Sequence, residues 1–172
     1  WTNPGQDVAI EFAGQTTSVK ANGEGRFDAS LPAIAADGKS HTLTVKADET
    51  ITLNDVVIGE VWICSGQSNM QWTVNASNDA DLERLAAKNP NIRMINFPQV
   101  GTQKPVDSYP DRKWMLCTPE TVGSCSAVGY FFARQLNRTI DVPVGMINNA
   151  WGGSAAEASS RRPCSPPATA RR

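Results

Sequence analysis

The chain has 172 residues, of which 40% are apolar and 19% charged, and its formal net charge is -1. A chain near this length can build a real core, because it buries roughly two thirds of its extended surface on folding. The balanced charge excludes broad electrostatic capture of nucleic acid or of an anionic lipid surface. No apolar run approaches the ~20 residues of a membrane span, and no signal-peptide pattern is recognisable.

Short alternating segments fill residues 1–58 and predict a small antiparallel β-sandwich domain. Val8, Ile10 and Phe12 alternate with less apolar neighbours, which is the period of two that a half-buried strand shows. The further predicted strands cover residues 16–21, 26–31 and 41–46 and the segment around 51–53. The dipeptide Asn22-Gly23 is a strong hairpin signal between two of these strands.

The pattern changes near Gly59, and residues 59–158 predict an α/β domain. Apolar runs at 56–58 and 61–64 are typical of strands buried on both faces of a parallel sheet. Helices are predicted from about residue 78 to 88 and from about 127 to 138, and strands over 91–97 and 142–147. A strand–helix alternation of this kind indicates a parallel sheet covered by helices.

The end of the chain and the cysteines carry little specific chemistry. Residues 159–172 contain four arginines, no acidic side chain and no large apolar one, which predicts a disordered tail. Four cysteines and one histidine occur, at spacings that match no zinc site. No metal or organic cofactor is therefore expected.

The run from Gly59 to Met70 (GEVWICSGQSNM) carries the strongest functional signal. A predicted buried strand ends in a turn that holds Ser68, and ligands of open α/β sheets bind beyond the carboxyl ends of the strands. If a helix begins just after Ser68, its free amides would favour developing negative charge, as an acyl-transfer nucleophile needs. The alternative is that Ser68 only caps a helix, which serines commonly do.

This run resembles the signature of the sialate O-acetylesterase family, within the wider SGNH group of hydrolases. Residues 118–134 and the segment from Val142 to Ser154 resemble two further blocks of that family in the same order. The resemblance implies a partial SGNH-hydrolase, flavodoxin-like sheet preceded by a small β domain. It also implies hydrolysis of O-acetyl esters of sialic acid without a cofactor.

Carried onto this chain, the resemblance makes Ser68 the nucleophile, with the amides of Ser68 and Gly129 as oxyanion donors. For Gly129 the alternative is close packing of a helix on the sheet. Gln67 and Asn69 flank the nucleophile and would bind substrate or brace the turn. Trp151 and Gly153 would line a sugar pocket or simply form a turn.

A serine nucleophile needs a general base, and the family supplies it in an Asp-x-x-His motif. The chain has no such motif, and its one histidine, His41, falls in the β domain. We therefore expect an incomplete, truncated or frame-shifted esterase that is inactive by itself. The alternatives are another SGNH esterase of acetylated carbohydrates and a non-catalytic carbohydrate-binding fragment.

The resemblance also sets expectations for partners and location. An acetylated sugar or sialic acid is the expected ligand, and no nucleic acid is expected to bind. Self-association is expected through open sheet edges, because an incomplete sheet exposes unpaired strands. Relatives of this kind imply a secreted, periplasmic or lysosomal protein.

Overall fold

The computed structural model describes residues 1–101, 106, 109 and 111–154. The chain divides into two compact units, Trp1–Gly59 and a second unit that begins at Glu60. The predicted tail, residues 159–172, lies outside the described residues. Within the described part, no helix has the length and apolar character needed to cross a membrane.

The first unit is a four-stranded antiparallel sheet in the order β2-β1-β3-β4. Its strands are β1 (Asp7–Phe12), β2 (Gln15–Lys20), β3 (His41–Lys46) and β4 (Thr50–Val56). The alternation in β1 buries Val8 and Ile10 on one face. The predicted antiparallel sheet is confirmed, and the described residues of this unit form one sheet layer, whereas a sandwich has two.

The turn between β1 and β2 lies at Ala13-Gly14, whose φ angles are 47° and 79°. Positive φ at both central residues is the type I′ geometry that matches strand twist. The hairpin predicted at Asn22-Gly23 is wrong, and so is a strand over residues 26–31, which have no regular structure. The Asn22 side chain accepts hydrogen bonds from the amides of Glu24 and Arg26, so it closes a local turn instead of pairing two strands.

The second unit is a mixed α/β unit around a four-stranded sheet in the order β5-β8-β6-β7. Its strands are β5 (Glu60–Gly66), β6 (Asn89–Asn96), β7 (Met115–Cys117) and β8 (Val144–Ala150). Its α-helices are α1 (Ser68–Gln71), α2 (Ala80–Ala86) and α3 (Ala127–Ile140). The predicted parallel sheet is confirmed, since β8 pairs in parallel with both β5 and β6, while β7 is antiparallel to β6. Among the described strands, β8 lies in the middle of the three parallel ones, between β5 and β6.

Helix α3 covers one face of this sheet and forms the main core with it. Tyr130 and Ala133 on the helix are fully buried, as is Ile92 on β6, and Met94 and Met146 are nearly so. Tyr130 alone is a large apolar contribution, because aromatic side chains bury about 150–250 Å² each. The helix begins at the predicted cap, where the Ser126 hydroxyl accepts from the Gly129 amide at 3.1 Å.

The opposite face of the sheet is open at β5. The prediction that residues 61–64 are buried on both faces is wrong for this part of the chain. Val61 and Ile63 are 60% and 69% exposed, while Cys64 is buried on the α3 side. Successive strand residues point to opposite faces, and the described residues leave the face of Val61 and Ile63 largely uncovered.

Candidate active site

The carboxyl ends of the three parallel strands meet at one edge of the second sheet. β5 ends at Gly66, β6 at Asn96 and β8 at Ala150. A side-chain hydrogen bond links the ends of β8 and β6, because Asn148 Nδ2 donates to Asn96 Oδ1 at 3.0 Å. Gly66 has φ 146°, and a Cβ there would lie 3.3 Å from the Cβ of Met70. Glycine therefore allows the sharp turn that leads into α1.

Ser68 is the first residue of α1 and is exposed at this edge. It lies in an open pocket of about 500 Å³ whose lining residues are Gln67, Ser68, Asn69, Met70 and Val128. Among the described residues none accepts a hydrogen bond from the Ser68 amide, whereas the amides of Gln71 and Trp72 close the helical turn. Gln67 occupies the N-cap position without a side-chain cap bond. The pocket thus combines a hydroxyl, an open amide and two amide side chains with an apolar wall.

Gly129, the second expected oxyanion donor, does not line this pocket. Its amide already donates to the Ser126 hydroxyl, and it is buried against the sheet. A Cβ at Gly129 would lie 2.9 Å from Cys64 Sγ and 3.3 Å from Met146 Sδ. This geometry favours the alternative for Gly129, in which the glycine lets α3 pack closely on β5 and β8, and its role as an oxyanion donor stays a prediction.

Val128, which the sequence analysis did not single out, lines the pocket where Gly129 does not. It is the second residue of α3 and is 49% exposed. The first amides of a helix have no acceptor within the helix, and in the described part of the chain nothing accepts from the Val128 amide. The predicted helix start was the available signal, because the first amides of a helix lack acceptors within it; the Ala127 amide donates to the Trp72 carbonyl, and that of Val128 is left open.

The turn after β8 approaches Ser68 through its backbone. The Trp151 amide donates to the Gly66 carbonyl at 2.9 Å, which extends the pairing of β5 with β8. A Cβ at Gly152 would lie 3.5 Å from Ser68 Oγ and 2.5 Å from Gln71 Oε1, so the two segments are in close contact. Trp151 and Gly153 are exposed, and neither is among the pocket's lining residues. Gly152 and Gln71 are therefore the residues that the sequence analysis missed here.

The lining residues of the pocket include no group that could serve as a general base at neutral pH. The one histidine, His41, belongs to the first unit, where its Nε2 lies 3.1 Å from Asp37 Oδ1 and its ring packs edge-on against Phe12. The pKa of Asp37 is lowered by the Lys39 amide and by His41. His41 thus has a local structural partner.

The described cysteines are buried and are not bonded to one another. Burial raises the pKa of Cys64 and Cys117, and it raises that of Cys125 to about 11. Thiols of this kind are poor nucleophiles at neutral pH. Within the described ranges, no group of three metal-binding side chains comes together. Ser68 is accordingly the exposed candidate nucleophile of the pocket.

Comparison with known proteins gives one consistent family. The family model described as carbohydrate esterase, sialic acid-specific acetylesterase matches residues 58–163. The sialate O-acetylesterase of Homo sapiens is 32% identical over 170 residues, covering 91% of this chain and 31% of the human protein. The rat sialate O-acetylesterase is 35% identical over 123 residues, covering 66% of this chain and 22% of the rat protein.

A solved structure agrees with these sequence matches. A carbohydrate acetylesterase from Xanthomonas citri has a TM-score of 0.87 and 36% sequence identity, covering 92% of this chain and 37% of that chain. The chain thus spans about a third of the length of the human protein and of the bacterial structure.

Proposed function

Because the chain belongs to the sialic acid-specific acetylesterase family of carbohydrate esterases, we propose that Ser68 is the nucleophile in hydrolysis of an O-acetyl ester on a sugar. Ser68 Oγ attacks the acetyl carbonyl and gives a tetrahedral intermediate. Collapse of this intermediate releases the sugar alcohol and leaves an acetyl-serine. Water then attacks the acetyl-serine, releases acetate and regenerates Ser68.

The observation that carries this proposal is the placement of Ser68. It is exposed, it directly follows the carboxyl end of β5, and it lines an open pocket of about 500 Å³. The amides of Ser68 and Val128 have no acceptor among the described residues, and both residues line the pocket, which supports a role for these amides in binding the carbonyl oxygen as negative charge develops. Each such donor typically contributes about 10²–10³-fold to the rate of acyl transfer.

The apolar part of the pocket wall suits a small acyl group. Met70 and Val128 supply this wall beside Ser68, while Gln67 and Asn69 supply polar groups that could bind sugar hydroxyls. Two apolar side chains are enough to contact one methyl group, whose burial contributes about 0.8 kcal/mol. This division of the pocket favours an acetyl ester on a polar alcohol.

The general base is the part of the mechanism that this pocket does not supply. A serine hydroxyl is a weak nucleophile unless a neighbouring base takes its proton. The chain contains a single histidine, and that residue lies in the first unit. We therefore expect the 172-residue chain to acylate Ser68 slowly when it is alone.

A chemical-rescue experiment tests the nucleophile and the missing base together. The chain is incubated with p-nitrophenyl acetate, with and without imidazole, and the acetylated residue is located by mass spectrometry. We expect imidazole to increase acetylation of Ser68, because it can take the proton that a catalytic histidine would take. The Ser68→Ala variant should show only background acetylation in both conditions.

Three results would contradict this proposal. Equal acetylation of the wild-type chain and of Ser68→Ala would remove Ser68 from the mechanism. Fast turnover without imidazole would show that the chain contains its own base. An inert Ser68 in every condition would favour the alternative of a non-catalytic carbohydrate-binding fragment.

The sugar is the finer part of the proposal. We propose O-acetylated sialic acid as the substrate, and the matches to sialate O-acetylesterases of mammals support this choice. The bacterial relative is named only as a carbohydrate acetylesterase, which supports other acetylated sugars as the second candidate. Acetate release from 9-O-acetylated sialic acid and from acetylated xylan, each with imidazole, distinguishes them. A location outside the cytosol and self-association at the open edge of β5 both stay predictions.

A further inference from the structure

We infer that Gln71 is a positioning residue, which holds the turn after β8 against the nucleophile through the Gly152 amide. This inference rests on the proposed role of Ser68. Gln71 Oε1 accepts from the Gly152 amide at 2.5 Å, a contact between residues 81 positions apart in the chain. Gln71 is half-buried and is the last residue of α1, one helical turn after Ser68.

The geometry of Gly152 explains why this bond matters for Ser68. A Cβ at Gly152 would lie 2.5 Å from Gln71 Oε1 and 3.5 Å from Ser68 Oγ, so the backbone of the turn packs directly against these two side chains of α1. The Trp151 amide fixes the start of the same turn on the Gly66 carbonyl. The turn is thus fastened to the segment around Ser68 at two points, one before the nucleophile and one after it.

These two attachments differ in kind. The bond from Trp151 to Gly66 continues the strand ladder between β5 and β8 and depends on backbone atoms alone. The bond to Gln71 depends on one side chain, so a substitution can remove it while the ladder stays. In α1, a helix of four residues, only the amides of Gln71 and Trp72 close the helical turn, so an external contact contributes strongly to its position. Gln71 therefore sets the distance between Ser68 Oγ and the backbone of Gly152.

The test separates the acceptor oxygen from the bulk of the side chain. Gln71→Met keeps the length but removes the acceptor, whereas Gln71→Glu keeps an acceptor oxygen at the same place. Gln135→Met is the matched control, because Gln135 is exposed on α3 and, within the described part of the chain, its side chain hydrogen-bonds to Thr139 alone. Amide hydrogen exchange at Gly152 is measured by NMR on the full chain for all four proteins.

We expect Gly152 to exchange roughly fivefold faster in Gln71→Met, the effect of losing one net hydrogen bond. Exchange should return to the wild-type rate in Gln71→Glu and stay unchanged in Gln135→Met. The second readout is the imidazole-dependent acetylation of Ser68, which should fall in Gln71→Met and recover in Gln71→Glu. Loss of rate with recovery by the isosteric acid is a pattern that general destabilisation would not give.

Two outcomes would overturn the inference. Unchanged exchange of Gly152 in Gln71→Met would show that the hydrogen bond does not hold the turn. Faster exchange with undiminished acetylation of Ser68 would show that the turn is held but does not position the nucleophile. If Ser68 is inert in the wild-type chain, the proposed function fails, and the exchange of Gly152 in the two Gln71 variants still decides whether Gln71 fixes this turn.

Discussion

The two units of this protein build their sheets from contacts of very different range. In the first unit, β1 and β2 pair across a two-residue turn, with Phe12 opposite Gln15. In the second unit, β5 pairs with β8, and Glu60 lies opposite Val144. The first unit also pairs β1 with β3, where Phe12 lies opposite Leu43, but the larger separations occur in the second unit, at whose edge Ser68 meets the turn after β8. A site made of several segments needs such long-range pairing.

The same difference between local and long-range structure is found at two glycines, one in each unit. Gly14, in the β1–β2 turn, has φ 79°, and nothing lies within 4 Å of the position of a Cβ. Gly129, on α3, has no such backbone angle, but its Cβ position is filled by atoms of the sheet. Gly14 is thus required for its backbone conformation and Gly129 for space. Substituting each one separates these two physical causes.

The largest effect is expected from Gly129→Ala. The new methyl group would lie 2.9 Å from Cys64 Sγ, and overpacking of this kind typically costs about 1–3 kcal/mol. The better helix propensity of alanine offsets up to ~1 kcal/mol of this cost. We therefore expect the free energy of unfolding to fall by about 1–2 kcal/mol. Urea unfolding followed by circular dichroism measures this change.

The control for this prediction is the same substitution in a Cys64→Ala background. Removing Sγ makes room for the methyl group, so Gly129→Ala should cost clearly less there. An equal cost in both backgrounds would mean that contact with Cys64 is not the cause. A more stable Gly129→Ala protein would mean that helix propensity outweighs packing at this position.

A smaller effect is expected from Gly14→Ala in the first unit. Alanine at a φ near 79° costs about 1 kcal/mol through backbone strain, and there is no steric contact to add to it. Gly14→Asn should cost less, because asparagine tolerates the left-handed region. Hydrogen exchange of the β1 and β2 amides reports the loss, and equal effects of alanine and asparagine would argue against strain as the cause.

The smallest change in the free energy of unfolding is expected from a change in pH. It distinguishes the two units, because the described cysteines all lie in the second one. Burial raises the pKa of Cys125 to about 11, above the value near 8.5 of an unfolded thiol. Stability from the protonated thiol is therefore complete below pH ~8.5 and is lost as the pH rises toward the folded value. Between pH 7 and 9 the free energy of unfolding should fall by less than about 1 kcal/mol.

Urea unfolding of the wild-type chain and of Cys125→Ala at both pH values measures this contribution. The substitution should make the decline between pH 7 and 9 shallower. If the two proteins show the same decline over this range, ionisation of Cys125 is not its source. The comparison between the two proteins cancels ionisations that they share.

Much of the fold was predictable because alternation and apolar runs reflect local backbone geometry. The strand at Val8–Phe12, the helix beginning after Ser126 and the strand before Ala150 all follow from such patterns. The absence of a hairpin at Asn22-Gly23 was not predictable, since the same dipeptide closes a local turn when the Asn22 side chain accepts from nearby amides. The exposure of Val61 and Ile63 was not predictable either, because an apolar run does not say which face is covered.

For the candidate site, the sequence alone determined that Ser68 follows an apolar strand and that one histidine is present, far from it along the chain. Only the tertiary structure decided which residues surround Ser68, because Val128 and Gly152 reach it through a helix and a strand that are distant in sequence. It also assigned Gly129 to the interface between helix and sheet, where its missing side chain leaves room for sulfur atoms. Local patterns determine how each segment folds, whereas the packing of distant segments determines which atoms meet.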